Sequence, residues 1–334
     1  MKNLKLLPFT SGGLILSYQC SNFCRHCVYA SSPKWQKWMT ADDVRVYLKN
    51  ISECASSQRG LHIGGGEPFL NFELLLKTIE LCVEFGVPLQ YVETNAGWCD
   101  TDEKTARLLY ELRTSGLPAL LISASPFHNE FVPFDCTERA IRIATDIFGA
   151  YNVLIYTDYY YKQLSQYDHS KKLPFNRYVN TTGREQAAQD FIREYNLIPC
   201  GRAVTRLGYL YEKKPAATFF NNTCQPEFRN PNHIHIDPDG NYIPSFCAGI
   251  SLGNARNLGE LYQGIELENF PLLELLASKG VEGLLLFAKE RFNYAELADG
   301  YIAKCDLCQD IRKHIVAFTD QFKELTPVEF YQNL

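Results

Sequence analysis

An α/β fold built on a parallel sheet is the class this sequence predicts, on three observations. Short apolar runs alternate with longer amphipathic segments through the first 200 residues. The segments between runs are long enough to be crossover helices, the connection that parallel strands need. At 334 residues and 46% hydrophobic, the chain can also bury a sizeable core and is no candidate for disorder. About six strand–helix units can be counted, which suits a partial barrel or a doubly wound sheet. Both architectures place their functional site at the C-terminal ends of the strands.

The first strand is read at Leu14-Ile15-Leu16-Ser17-Tyr18 and delivers the chain into a cysteine-bearing loop. Thr40-Ala41-Asp42-Asp43 is a helix cap, and Val44, Tyr47, Leu48 and Ile51 follow at helical spacing. Leu61-His62-Ile63 is a short buried strand that ends in Gly64-Gly65-Gly66. The pattern then gives a helix over 72–85, a strand over 89–93, a helix over 102–114 and a strand over 119–123. A helix over 137–148, a strand over 151–156 and a helix over 184–195 come next, before a last apolar run at Leu197-Ile198. Residues 20–27, 64–68, 93–95 and 123–130 all follow strands, so they are expected to converge on one face.

Two connections on that face are unusually long, 125–135 and 157–183. The second holds Tyr159, Tyr160, Tyr161, Tyr167, Phe175 and Tyr178. A binding loop or lid is one reading of such a segment, and a surface excursion is the other. From residue 201 the pattern changes: Gly, Pro and Asn become common and strands shorten. The expected organisation is therefore a barrel over 1–200 and a smaller domain over 201–334, with a helix over 273–287 and a terminal helix over 310–325.

The formal net charge of -5 argues against a nucleic-acid partner, since no basic surplus exists to neutralise phosphates. No signal peptide and no membrane-spanning stretch is read, so the expectation is a cytoplasmic protein with no membrane partner. Twelve cysteines are then many for a reducing compartment. Cys54, Cys82, Cys99 and Cys136 stand singly and read as packing residues. The other eight fall into two groups that packing does not explain.

Cys20-x3-Cys24-x2-Cys27 puts three thiols within eight residues. Such spacing suits three irons of a [4Fe–4S] cluster and leaves one iron open for a small chelating ligand. Structural zinc sites favour paired CxxC motifs instead. The triplet, in the loop after the first strand, resembles the signature of the radical S-adenosylmethionine (SAM) superfamily. Gly64-Gly65-Gly66-Glu67-Pro68 resembles that family's Gly-Gly-Glu-Pro motif, in which Gly65, Gly66 and Glu67 would meet the methionyl amine. Glu93-Thr94-Asn95 resembles its polar strand end, placing Glu93 and Asn95 at the ribose and amino-acid part. Ser123 falls where the family often has a serine for the carboxylate. His26 stands where the family often has an aromatic residue near adenine, and its ring can still stack. The resemblance implies a partial (β/α)6 TIM-like barrel that binds S-adenosylmethionine on the open iron. It also implies one-electron cleavage to a 5′-deoxyadenosyl radical, which abstracts hydrogen from substrate, and an electron donor such as flavodoxin or ferredoxin.

Cys224, Cys247 and Cys305-x2-Cys308 supply four thiols around 235–244, a stretch that reads as a hairpin with Asp239-Gly240 in its turn. This region resembles the auxiliary-cluster domains called SPASM and twitch, and the count implies one further [4Fe–4S] cluster. A four-thiolate zinc site is the rival. Gly201-Arg202-Ala203 also recurs in such proteins and makes Arg202 a cofactor-site candidate. His233 and His235 lie two apart on a strand and so face the same side; they read as buried or hydrogen-bonded histidines, with metal ligation as the other reading.

The resemblance to SPASM-tailed proteins favours a peptide or protein side chain as substrate. Cobalamin-dependent methyl transfer, a small-molecule substrate and a non-catalytic iron–sulfur redox sensor stay open. For hydrogen donation or acid–base chemistry the candidates are Cys200, at the end of the last predicted strand, and His128, Glu130 and Asp158.

Overall fold

The computed structural model describes residues 3–8, 10–54 and 60–334. Its strands are β1 (Asn3–Leu4), β2 (Ser11–Ile15), β3 (Gly60–Gly64), β4 (Leu89–Thr94), β5 (Leu120–Ser123), β6 (Val153–Tyr156), β7 (Ile234–Ile236), β8 (Tyr242–Ile243) and β9 (Ile265–Glu266). Seven of them form one sheet in the order β6-β5-β4-β3-β2-β7-β8, while β1 and β9 pair separately. Strands β2 to β7 run parallel and only β8 is antiparallel. This is the expected α/β class with a parallel sheet, consistent with a partial TIM barrel.

Local chemistry explains the elements. Thr40 and Asp43 cap the Ala41–Cys54 helix reciprocally: the Asp43 amide donates to Thr40 Oγ1 at 3.1 Å and the Thr40 amide to Asp43 Oδ2 at 2.9 Å. The helix buries Val44, Tyr47, Leu48 and Ile51, the face its spacing predicted. Asn71 and Thr101 cap the Phe72–Glu84 and Asp102–Thr114 helices by accepting from the Leu74 and Lys104 amides. Strand β3 is buried along its whole length, as expected of a central parallel strand covered on both faces.

Three expectations are corrected. Leu197-Ile198 forms no strand, because Asn196 adopts φ 55° before it and Pro199 removes an amide after it. The sixth parallel strand is β7, on the opposite flank of β2. The 157–183 connection is not an open aromatic loop. It contains the Asp158–Leu164 and Phe175–Thr182 helices, and Tyr160, Phe175 and Tyr178 are buried with Phe127, Phe191 and Tyr195 in a second apolar core. The helix expected over 310–325 runs instead over Lys304–Phe318, where Thr319 ends it in extended conformation, and a short helix at Val328–Gln332 closes the chain.

The chain beyond residue 200 shares the sheet and the main core with the barrel. Ile234 and Ile236 of β7 pack in one cluster with Leu14, Ile63, Val92 and Ile122, together with Leu252, Leu284 and Ile311. The β7–β8 hairpin forms at the predicted turn, with Gly240 at φ 80° and its amide donating to the Asp237 carbonyl at 2.9 Å. Among the described residues no helix is long and apolar enough to cross a membrane.

Candidate functional site

At the C-terminal ends of the strands lies a cavity of about 500 Å³. Cys24, His26 and Cys27 line one side, Gly65, Gly66, Asn95 and Ser123 the strand ends, and Tyr29, Tyr91, Glu93, His233 and His235 the inner wall. The convergence expected of strand-end residues is therefore present.

The cysteine loop is folded on itself. The Cys20 amide donates to the Ser32 carbonyl at 3.1 Å, and the Cys27 amide to the Cys24 carbonyl at 3.3 Å. Cys20 Sγ accepts from the Asn22 amide at 3.4 Å and from Asn95 Nδ2 at 3.5 Å. Cys27 Sγ accepts from the Ser31 amide at 3.3 Å. Burial pushes the Cys20 thiol up to about 12, with the charges of Glu67 and Cys27 adding to it. Cys24 is raised by burial and then by Cys20 and Cys27. Three thiols that oppose one another's ionisation are a donor set that a cation relieves.

Arg202 is fully buried and does not line the cavity, which corrects the expectation that it meets the cofactor. Its Nε donates to the Cys24 carbonyl at 2.9 Å and its Nη2 to the Ser31 carbonyl at 2.5 Å, while the guanidinium lies 4.0 Å from the Phe23 ring. It is a prop for the loop. Gly201 permits this contact: at φ 61°, a Cβ there would sit 2.3 Å from the Val28 carbonyl oxygen. Gln309, next to Cys308, accepts from the Gly201 amide at 2.6 Å and donates to its carbonyl at 3.0 Å. One backbone position thus ties the two cysteine groups together.

Glu67 is corrected likewise. It is buried outside the cavity wall, and its oxygens accept from Thr94 Oγ1 at 2.9 Å, the Asn95 amide at 2.7 Å and the Phe69 amide at 3.3 Å. It fixes the end of β4 to the turn after β3. Burial raises its carboxyl to about 7, against these three donors. Gly66 does face the cavity; a Cβ there would lie 1.8 Å from the Gln19 carbonyl oxygen.

His26 Nε2 lies 2.7 Å from Tyr195 Oη, and its ring is 4.6 Å from that of Phe127. Its Nδ1 is buried with no partner among the described residues, as are Asn22 Nδ2 and Arg202 Nη1. His128 Nδ1 lies 2.8 Å from Ser125 Oγ, and burial lowers its ring to about 4. The ligand atoms of Cys24, His26 and His128 lie within 4.8 Å of one another.

Of the four candidates for hydrogen or proton transfer, only His128 lines the cavity. Glu130 is paired with Arg25 through Nη2 at 2.8 Å and Nε at 3.0 Å. Asp158 is exposed and paired with Lys162 at 2.5 Å. Cys200 is buried and donates to the Phe246 carbonyl at 3.5 Å, beside the second cysteine group rather than in the cavity. Burial first, and then the charge of Cys305, raises its thiol. Tyr29, Tyr91, Tyr156 and Tyr195 are wall residues that periodicity did not single out as functional. Alternation along β4 could have found Tyr91, two positions before Glu93 on the same face.

Cys224, Cys247, Cys305 and Cys308 come together. Burial raises the Cys247 thiol, and the charges of Cys305, Cys224 and Cys308 raise it further, while Arg312 opposes them. His235 and His233 prove to be wall residues, and His235 is hydrogen-bonded as expected, its Nδ1 2.8 Å from Tyr29 Oη.

Residues 14–151 match the family profile described as Radical SAM superfamily. Residues 14–151 therefore carry a radical SAM domain. The chain's fold is distantly similar to that of BtrN in complex with AdoMet and 2-DOIA, at 16% identity and a TM-score of 0.46, covering 83% of this chain and 90% of that one. Native anSMEcpe with bound AdoMet and Kp18Cys peptide aligns at 18% identity and the same TM-score of 0.46, over 98% of this chain and 100% of that one. No curated protein matches the sequence.

The residues present fit the group that this family binds. Cys24, Cys27, the glycine edge with no room for a side chain and His26, whose buried Nδ1 has no partner among the described residues, border one cavity, and Cys20 is close enough to raise the Cys24 thiol. Cys20, Cys24 and Cys27 would hold a [4Fe–4S] cluster, and Gly65, Gly66, Asn95 and Ser123 the S-adenosylmethionine that chelates its open iron.

Proposed function

We propose that this radical SAM enzyme abstracts a hydrogen atom from a peptide or protein side chain and carries a second [4Fe–4S] cluster on Cys224, Cys247, Cys305 and Cys308. The observation that carries the substrate reading is the size and placement of the cavity. At about 500 Å³ it lies in the range for one drug-sized ligand. With S-adenosylmethionine along the strand ends, the remaining room suits a side chain.

When bound, the triplet's cluster supplies the electron that cleaves S-adenosylmethionine and starts the radical chemistry. The chain's own residues do the rest. Arg202 and Asn95 hold the cysteine loop in place, and the bare edge at Gly65-Gly66 lets the backbone approach an ammonium group. His128, kept neutral because burial lowers it to about 4, faces the cavity with its ring held by Ser125 Oγ, 2.8 Å from Nδ1.

A metal centre in the second site is supported by four thiols that oppose one another's ionisation, as the charges of Cys305, Cys224 and Cys308 do for Cys247, and the resemblance to twitch domains favours a cluster over zinc there. The hairpin at β7–β8 and the Cys305-x2-Cys308 pair at the start of the Lys304–Phe318 helix support a twitch-like domain.

The test is anaerobic reconstitution followed by iron counting and assay of 5′-deoxyadenosine under strong reductant. About eight irons per chain are expected, about four after Cys305→Ser with Cys308→Ser, and no 5′-deoxyadenosine after Cys24→Ser. Wild type that forms two clusters yet leaves every offered peptide unmodified, while converting a small molecule, would refute the substrate reading. One equivalent of zinc in the second site would refute the second cluster.

A further inference from the structure

We propose that the inner wall of the cavity is a subsite for a cationic amine on the substrate, with Glu93 as its anionic partner and Tyr29, Tyr91 and Tyr156 as its aromatic wall. This rests on the radical SAM reading and adds the chemistry of the group bound.

Among the described residues Glu93 is the one carboxylate in the cavity wall, and no lysine or arginine lines it. No hydrogen bond reaches its oxygens among the described residues. The nearest basic nitrogen is His62 Nε2 at 3.9 Å. That ring cannot serve as a counter-ion, because burial lowers it to about 3. Its Nε2 is also engaged, 3.2 Å from His235 Nε2, and His235 in turn meets Tyr29 Oη at 2.8 Å. The wall thus presents a carboxylate whose surroundings are fixed and neutral. A half-buried carboxylate in a cavity wall that offers it no basic partner is complemented by a cation that a ligand supplies.

The groups facing Glu93 are Tyr29 from the cysteine loop, His62 from β3, Tyr91 from its own strand and Tyr156 from the end of β6. Its charge raises the pKa of all three phenols, which places them within Coulombic reach. Partial withdrawal from water, at 38% side-chain exposure, raises the Glu93 carboxyl above its ordinary range. Aromatic rings around a carboxylate repel an anionic ligand and suit an ammonium, which gains from both the charge and the π-faces. A lysine side chain, a peptide N-terminus and an amino sugar all offer this chemistry.

The experiment uses the anaerobic holoenzyme with saturating S-adenosylmethionine and no reductant. Thermal unfolding is followed in n-butylammonium chloride, n-butanol, sodium butyrate and sodium chloride. At ten times its Kd, n-butylammonium is expected to raise Tm by about 2 °C, with no rise from the other three. Glu93→Gln is expected to abolish the rise. Gly-Lys-Gly and glucosamine then distinguish a peptide amine from a sugar amine. Equal effects of the ammonium and the alcohol overturn the proposal, and this comparison needs no variant. So does a rise seen only without S-adenosylmethionine, because the carboxylate would then belong to the cofactor. The same preparation is afterwards reduced and assayed for 5′-deoxyadenosine. Its absence defeats the radical SAM reading, whereas its presence without amine preference defeats only the subsite.

Discussion

Gly13 offers the sharpest test of how the inner wall is built. It sits on β2 directly opposite His62 of β3 and His235 of β7, its partners in register on either side. The two imidazoles meet across it at 3.2 Å because the glycine has no side chain. In Gly13→Ala the new Cβ would lie 2.4 Å from His62 Nε2 and 2.8 Å from His235 Cδ2. Both rings are buried, at 3% and 4% exposure, so neither can swing into solvent. Overpacking of this kind costs about 1–3 kcal/mol, against a gain of about 0.5–1 kcal/mol for replacing a strand glycine by alanine. The expected net loss is about 1–2 kcal/mol, read from anaerobic urea unfolding. The cause is isolated by a double-mutant cycle with His62→Ala, which removes the closer of the two rings that the methyl strikes. Gly13→Ala should then be nearly neutral, a coupling of at least ~1 kcal/mol between contacting sites. Additivity within about 0.5 kcal/mol would falsify the claim that the glycine exists to let the histidines meet.

Arg202→Lys keeps the charge but cannot bridge the Cys24 and Ser31 carbonyls together. A loss of about 2–3 kcal/mol and a fall in iron content are expected, and full iron loading would contradict the role as a prop. Glu67→Gln turns one oxygen that accepts from Thr94 or Asn95 into a donor. About 1–3 kcal/mol should be lost, together with several-fold weaker S-adenosylmethionine binding as Asn95 shifts; unchanged affinity would show that the β4 end is fixed by other contacts. Glu93 carries a pH signature. Burial raises its folded pKa to about 7, so the folded chain keeps a proton that the unfolded carboxyl releases from its ordinary range upward. Its contribution to stability therefore declines as pH rises toward 7, and Glu93→Gln should flatten the fall in urea midpoint between pH 5 and 8. Equal slopes in the two proteins would mean the carboxyl is not held protonated by its surroundings.

Sequence alone determined the class of chemistry. Cys20, Cys24, Cys27 and the glycine run lie within short loops after strands, so spacing and order carried their meaning without any tertiary knowledge. The capped Ala41–Cys54 helix and the Asp239-Gly240 turn were legible for the same reason: caps and turns are set by neighbours in the chain. Local patterns could not say which of two equally apolar runs joins the sheet. Leu197-Ile198 and 234–236 both read as short strands, and only the packing of β7 against β2 decided between them.

Tertiary structure also decided what the polar residues do. Glu67 and Arg202 are motif residues whose side chains turn inward to hold backbone, because buried charges must find partners where donors and carbonyls lie. The aromatic run at 159–178 looked like a binding surface and is the core of a helical layer, since rings spaced along helices bury one another before they meet any ligand. The inner wall is the converse case. Tyr29, His62, Glu93 and His235 come from four separate stretches, and their proximity follows from strand order and register across Gly13, quantities that exist only once the sheet has formed.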